Sequence, residues 1–175
     1  MSAKNPPPES AIQRELQQTR PFHSIGAEAI ISIMRTSALI QRRLNTIVSR
    51  EGITQQQYNV LRILRGSGEA GIPTLAIRDR MIDASPGVTR LVDRLERAGY
   101  AQRERSAPDR RQVVCRITAA GLSLLSRLDG PISAYDDEAV EMLSADEKRE
   151  LVRLLDVVRA WNAKEESQRA REPES

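Results

Sequence analysis

The chain has 175 residues, a formal net charge of +3, 39% hydrophobic but only 3% aromatic residues, and one cysteine. That length suits one domain with an aliphatic core of Leu, Ile, Val and Ala. A lone thiol excludes an internal disulfide and fits a reducing compartment, and no run of about 18 apolar residues offers a membrane span.

Only three of the 27 basic residues are lysines (Lys4, Lys148 and Lys164). Arginine forks onto phosphates and guanine edges, although a GC-rich genome gives the same bias. Residues 1–20 are polar, carry Pro6, Pro7 and Pro8 and lack the apolar core of a signal peptide. They read as an arm with a short helix near Ile12–Gln18. The expectation is a soluble, cytoplasmic protein without membrane contact.

A first long helix is predicted from Ser24 to Ser49, where Ile25, Ile30, Ile33, Leu44, Ile47 and Val48 recur near the helical period. Gly52 ends it. Thr54-Gln-Gln-Gln57 has the capping-box form and opens a second helix with Tyr58, Leu61 and Leu64 on one face; Gly66, Ser67 and Gly68 stop it. A short helix is predicted over Pro73–Met81, with Pro73 in its first turn. After a turn at Asp83–Ala84 a fourth helix covers 86–98, with Ser85 as N-cap, Asp83 as the rival cap and Gly99 as the C-terminal stop.

The pattern then changes. Ala101–Arg105 and Gln112–Ile117 read as two strands around the turn Ser106-Ala-Pro-Asp-Arg110, since Val113, Cys115 and Ile117 alternate with Val114 and Arg116. Thr118 caps a further helix that is interrupted near Gly130-Pro131 and continues to Met142. Ser144-Ala-Asp-Glu147 is a second capping box, opening a last helix through Trp161. The fold class is mainly α with a small β-hairpin wing.

Helix, short turn, helix and hairpin in that order form the winged helix-turn-helix arrangement. In the fourth helix Val88, Leu91, Val92 and Leu95 make one buried stripe, which leaves Ser85, Gly87, Thr89, Arg90, Asp93, Arg94 and Arg97 outside it. Small residues at its N-terminal end let a helix enter the major groove. Thr89 can then meet a thymine methyl or a phosphate, and Arg90 guanine or the backbone. A charged surface helix is the plain alternative. Against it stand five arginines (103, 105, 110, 111 and 116) facing two acids, Glu104 and Asp109, between Ala101 and Arg116. An arginine at a hairpin tip suits a minor groove.

The stretch VTRLVDRLERAGYAQRERSAPDRRQVVCRITAAG, Val88 to Gly121, resembles the signature of the MarR family of transcription regulators over 34 residues. Its parts are the recognition helix, a Leu-Glu-x-x-Gly ending, an arginine strand, an Asp-Arg-Arg wing tip and a hydrophobic-Thr-x-x-Gly start of the long helix. Weaker resemblance spans residues 25 to 160. The resemblance implies a homodimer that binds a pseudopalindromic double-stranded DNA operator and answers a small-molecule effector. It implies an Asp109–Arg111 wing pair and a phosphate contact for Arg110. The DNA-binding set is thus Ser85, Gly87, Thr89, Arg90, Arg94, Asp109, Arg110 and Arg111; no ligand-binding residues are assigned. Residues 1–23 become a flexible arm and 24–163 a single domain. Within it the winged helix-turn-helix covers about 53–118 and the dimerisation helices about 24–50 and 119–163, leaving 164–175 as a charged tail. Two features depart from the family pattern: Ile72-Pro-Thr-Leu-Ala-Ile ahead of the turn, and Pro86-Gly87 in the recognition helix.

Neither catalysis nor a cofactor is expected, because there is no Gly-rich phosphate loop, His-based triad or metal-binding cluster. His23, the single histidine, cannot build a zinc site and reads as a surface or packing residue. Cys115 shares a face with Val113 and Ile117 and reads as a buried, inert thiol; a redox-responsive regulator of the same fold is the runner-up. A winged-helix protein-interaction module is the third reading, against which the arginine-rich wing argues. Trp161 reads as a dimer-core residue.

Overall fold

The computed structural model describes residues 10–83, 87–105 and 113–169. Two compact units divide the chain, Met1–Pro131 and Ile132–Ser175.

Unit 1 begins with helix α1 (Ala11–Glu15), capped by Ser10. Glu15 accepts a 2.7 Å bond from Arg35 Nε on α2 (Ile25–Ser49). The Ser24 hydroxyl accepts from the Ala27 amide at 3.1 Å and so opens α2 where the sequence places its start. Only the last turn of α2 is buried, at Ile47 and Val48, while Ile25, Ile30, Ile33, Met34, Leu39 and Ile40 face outward.

Helix α3 (Gln55–Gly66) has both arms of the expected capping box: Gln57 N donates to Thr54 Oγ1 at 3.2 Å and Thr54 N donates to Gln57 Oε1 at 2.9 Å. Its Tyr58, Val60, Leu61 and Leu64 enter the core. A 3-10 turn (Gly68–Ala70) leads to a strand that the sequence reading lacks, β1 (Ile72–Pro73). The sequence pattern places Pro73 in the first turn of a helix. It occupies instead the last strand position and the N-cap of α4 (Thr74–Arg78). Because β1 lies on the edge of the sheet, the missing N–H costs little there.

Helix α5 (Val88–Arg97) starts two residues later than expected, and its N-cap is Gly87 at φ 127°, with no side-chain cap. Neither Ser85 nor Asp83 fills that position. A positive φ of this size is glycine's to adopt, which is why this residue, and not a hydroxyl, sets the start. The predicted stripe is buried in full: Val88, Leu91, Val92 and Leu95. Truncating Leu95, which is fully enclosed, to Ala would cost about 2–5 kcal/mol. The helix closes as expected at Gly99, φ 76°, where Tyr100 N donates to Leu95 O and Gly99 N to Glu96 O, both at 2.9 Å. This is the Schellman pairing.

Strands β2 (Ala101–Arg105) and β3 (Val113–Ile117) pair antiparallel, with Ala101 opposite Ile117 and Arg103 opposite Cys115. The sheet order is β1-β3-β2. The predicted turn at 106–110 lies outside the described residues. Thr118 caps α6 (Ala119–Glu138): its hydroxyl accepts from Gly121 N at 3.1 Å and donates to Gly99 O at 2.6 Å. Helix α6 is not interrupted at Gly130-Pro131 but runs through Pro131 and stops at Glu138, short of Met142. Proline removes one donor, and the remaining helix bonds carry the segment across that gap.

Unit 2 holds the end of α6 and helix α7 (Ala145–Arg169). The second capping box is present: Ser144 N donates to Glu147 Oε2 at 2.8 Å and Glu147 N to Ser144 Oγ at 3.3 Å. Helix α7 extends past Trp161 into the predicted charged tail. It carries Arg149–Asp146, Arg153–Glu150 and Arg159–Asp156 pairs one turn apart. Leu151, Val152, Leu154, Val157, Val158 and Trp161 are exposed along it.

Candidate nucleic-acid interface

Helices α3, α4 and α5 pack on one another and on the three-stranded sheet, which fixes the outward face of α5. The segment ahead of α5 is held from α3, where Asn59 Oδ1 accepts the Ile82 amide at 3.0 Å. With its apolar stripe turned inward, α5 presents Gly87, Thr89, Arg90, Arg94 and Arg97 to solvent. Among the described residues the side chains of Arg90, Arg94 and Arg97 enter no hydrogen bond or ion pair. Three guanidinium groups on one short helix, whose own acids Asp93 and Glu96 are engaged by Arg103, form a surface suited to a polyanion.

Asp93 behaves differently from the other polar residues of α5. It is half-buried and pairs with Arg103 of β2. The Arg103 guanidinium also donates to Glu96 Oε2 at 3.1 Å and to the Thr89 carbonyl at 3.1 Å, and its backbone amide donates to Glu96 Oε1 at 3.2 Å. One side chain thus fastens β2 to the first, second and third turns of α5. Burial, the largest influence on this guanidinium, pulls its pKa down. The Asp93 bond and the charges of Asp93 and Glu96 outweigh burial, so the net shift is upward and the group stays charged.

Arg116 on β3 is occupied as well. It pairs with Glu104 across the strands and donates to the Glu69 carbonyl at 2.6 Å. Two of the five wing arginines counted in the sequence are therefore structural, and the local positive excess overstates what is free for a partner. Arg105, exposed at the end of β2, enters no ion pair among the described residues. Ser85, Asp109, Arg110 and Arg111 lie outside the described residues, so the structure brings together only Gly87, Thr89, Arg90 and Arg94 of the expected set. Asn59, Asp93, Glu96 and Arg103 were missed as supports of the site. Asp93 and Glu96 stand three apart on α5, which puts them on one face, and that spacing opposite a strand arginine was the available signal.

Cys115 is fully buried, with its thiol 3.3 Å from Thr74 Oγ1. Among the described residues no group of three or more His, Cys, Asp and Glu could hold a metal ion, and no helix is long and apolar enough to cross a membrane.

Comparison with known proteins gives a consistent picture. The MarR family model matches residues 53–113. The transcriptional regulator PecS of Dickeya dadantii is 30% identical over 149 residues, covering 83% of this chain and 89% of PecS. A MarR transcription factor from Planctomyces limnophilus is 37% identical, with a TM-score of 0.59 over 78% of this chain and 99% of that one. The PcaV transcriptional regulator from Streptomyces coelicolor, solved with its natural ligand, is 26% identical with a TM-score of 0.68 over 81% and 98% of the two chains. With its α3–α4–α5 unit, its three-stranded wing sheet and this coverage of PecS, the chain belongs to the MarR family and is a winged helix-turn-helix, DNA-binding transcription regulator.

Proposed function

We propose that the protein is a homodimeric cytoplasmic repressor that binds a pseudopalindromic double-stranded operator and leaves it when a small molecule binds. The observation that carries this reading is the outward face of α5, where Arg90, Arg94 and Arg97 stand without acid partners among the described residues, beside the small residues Gly87 and Thr89. Gly87 and Thr89 allow close approach to base edges in the major groove. Arg90 takes a guanine edge or a phosphate, and Arg94 a phosphate. In two copies related by a two-fold axis, the α5 helices meet half-sites about one helical turn, ~34 Å, apart. Ser85, from its place in the sequence at the N-terminal end of the helix, and Asp109, Arg110 and Arg111, on the strength of the family resemblance, complete the contact set.

The dimer reading is supported by apolar faces that a single chain leaves in water. Ile25, Ile30 and Met34 on α2 are 81%, 48% and 62% exposed, and Val157 and Trp161 on α7 are 60% and 64% exposed. A second copy is the partner that covers them. Effector control is supported by a cleft of about 150 Å³ lined by Gln41, Gln55, Gln56, Asn59, Met81, Ile82 and Asp83. Asn59, which steadies the segment leading into α5, is part of that wall.

Fluorescence anisotropy with duplex DNA at several salt concentrations, together with sedimentation at micromolar concentration, tests the reading. The expected results are a species of twice the monomer mass and an affinity that falls linearly with the logarithm of salt. A folded monomer without DNA affinity at low salt would falsify it.

A further inference from the structure

We propose that Arg103 is a positioning residue for sequence selectivity: without touching DNA, it sets the angle between the wing and the recognition helix. The proposal rests on α5 being the helix that enters the groove. Arg103 comes from β2, and its guanidinium reaches three acceptors on α5: the Asp93 and Glu96 carboxylates and the Thr89 carbonyl. The Thr89 bond matters most for orientation, because it holds the backbone of the turn that also carries the exposed Thr89 and Arg90 side chains. The Arg103 side chain is only 21% exposed. Its donors are therefore turned into the protein, away from any phosphate.

A base contact tolerates little displacement of the helix, whereas a phosphate contact through a long arginine adapts. Tilting α5 relative to β2 therefore removes base readout first and backbone affinity last. A planar fork satisfies three acceptors together, which the compact ammonium of lysine cannot do, so Arg103→Lys keeps the charge and loses the geometry.

The experiment compares wild type, Arg103→Lys, Glu96→Gln and Arg90→Ala. The probes are a duplex selected by the wild-type protein from a randomised library, and a scrambled duplex. Far-UV circular dichroism and thermal unfolding establish that each variant is folded. Arg103→Lys is expected to lower the ratio of selected to scrambled affinity about tenfold, the size of one lost base contact, while the salt slope on scrambled DNA stays at the wild-type value. Glu96→Gln is expected to shift the ratio the same way by a smaller factor, and it decides the matter should Arg103→Lys fail to fold. Equal loss on both duplexes with a flattened slope would show Arg103 to be a phosphate contact and overturn the proposal. So would an unchanged ratio in the variants, or a wild-type protein that selects no sequence. Arg90→Ala separates the two levels: if it leaves the ratio intact, the reading of α5 fails; if it alone moves the ratio, only the role of Arg103 fails.

Discussion

Arg65 on α3 donates two parallel hydrogen bonds to Asp129 on α6, Nη1 to Oδ2 at 2.7 Å and Nη2 to Oδ1 at 3.0 Å. The Arg65 bond, reinforced by its charge and that of Arg62, holds the Asp129 carboxyl below the usual aspartate range. A carboxylate depressed in the folded state adds stability above its unfolded pKa and loses it as pH falls through the folded value. The pair is exposed, 36% and 46% at its two side chains, so its contribution is at most about 1 kcal/mol. Asp129→Asn is therefore expected to lower the thermal midpoint slightly at pH 7, and the gap from wild type should close on acidification below about pH 4. A gap that is constant from pH 7 to pH 3 contradicts this assignment.

Gly71, just before β1, has no room for a side chain. It sits at φ 67°, and a Cβ there would lie 2.6 Å from Val114 Cγ1 and 2.7 Å from the Cys115 carbonyl oxygen, both on β3. Gly71→Ala combines left-handed strain with overpacking and is expected to cost about 2–5 kcal/mol. Gly52 has φ 73° but open space around it, so Gly52→Ala is expected to carry only the conformational part, about 1–2 kcal/mol. Urea unfolding of the two variants separates these contributions; equal midpoints would mean that the β3 contact gives way.

The helices were legible because their signals are local. Thr54 and Gln57, or Ser144 and Glu147, carry both arms of a cap within four residues, and the α5 stripe repeats within ten. Strand β1 was not legible, since two residues show no period and its existence depends on β3, some forty positions later. Pro73 suited the start of a helix equally well. The Gly87 cap was hidden behind a better cap residue, Ser85, because sequence preference ranks side chains whereas the structure selects a backbone angle. For the site, the exposed side of α5 follows from its buried side, so Thr89, Arg90 and Arg94 could be read directly. The division of arginines into free and occupied could not, because Arg103 and Arg116 find their partners only when the strands pair.

Cys115 is fully buried beside Thr74, and burial keeps oxidants away from its thiol. Cys115→Ser is expected to leave DNA affinity and the response to peroxide at wild-type values. The new hydroxyl keeps the Thr74 Oγ1 partner, so the stability change is expected to stay within about 1 kcal/mol. Gel shifts before and after peroxide treatment check this. An oxidant-induced release of DNA that disappears in the variant would establish the redox reading instead.

Wing tip and recognition helix are expected to fail in different ways. Arg110 sits in the expected hairpin turn, where contacts to phosphate and minor groove give affinity with little sequence information. Arg110→Ala is expected to weaken selected and scrambled duplexes alike and to flatten the log–log salt slope by about one unit per contact in each half-site. Arg90→Ala removes a group from the first turns of α5 and is expected to cost roughly 1–3 kcal/mol on particular operator sequences only. Arg116→Ala is the control, since its guanidinium is spent on Glu104 and the Glu69 carbonyl, so the salt slope stays unchanged. Asp109 decides whether the wing pair exists. If it holds Arg111 in place, Asp109→Ala weakens binding although it deletes a negative charge near phosphate, whereas electrostatics alone predicts tighter binding. Titrations of both duplexes at two salt concentrations give the sign, and tighter binding by Asp109→Ala rules the pair out.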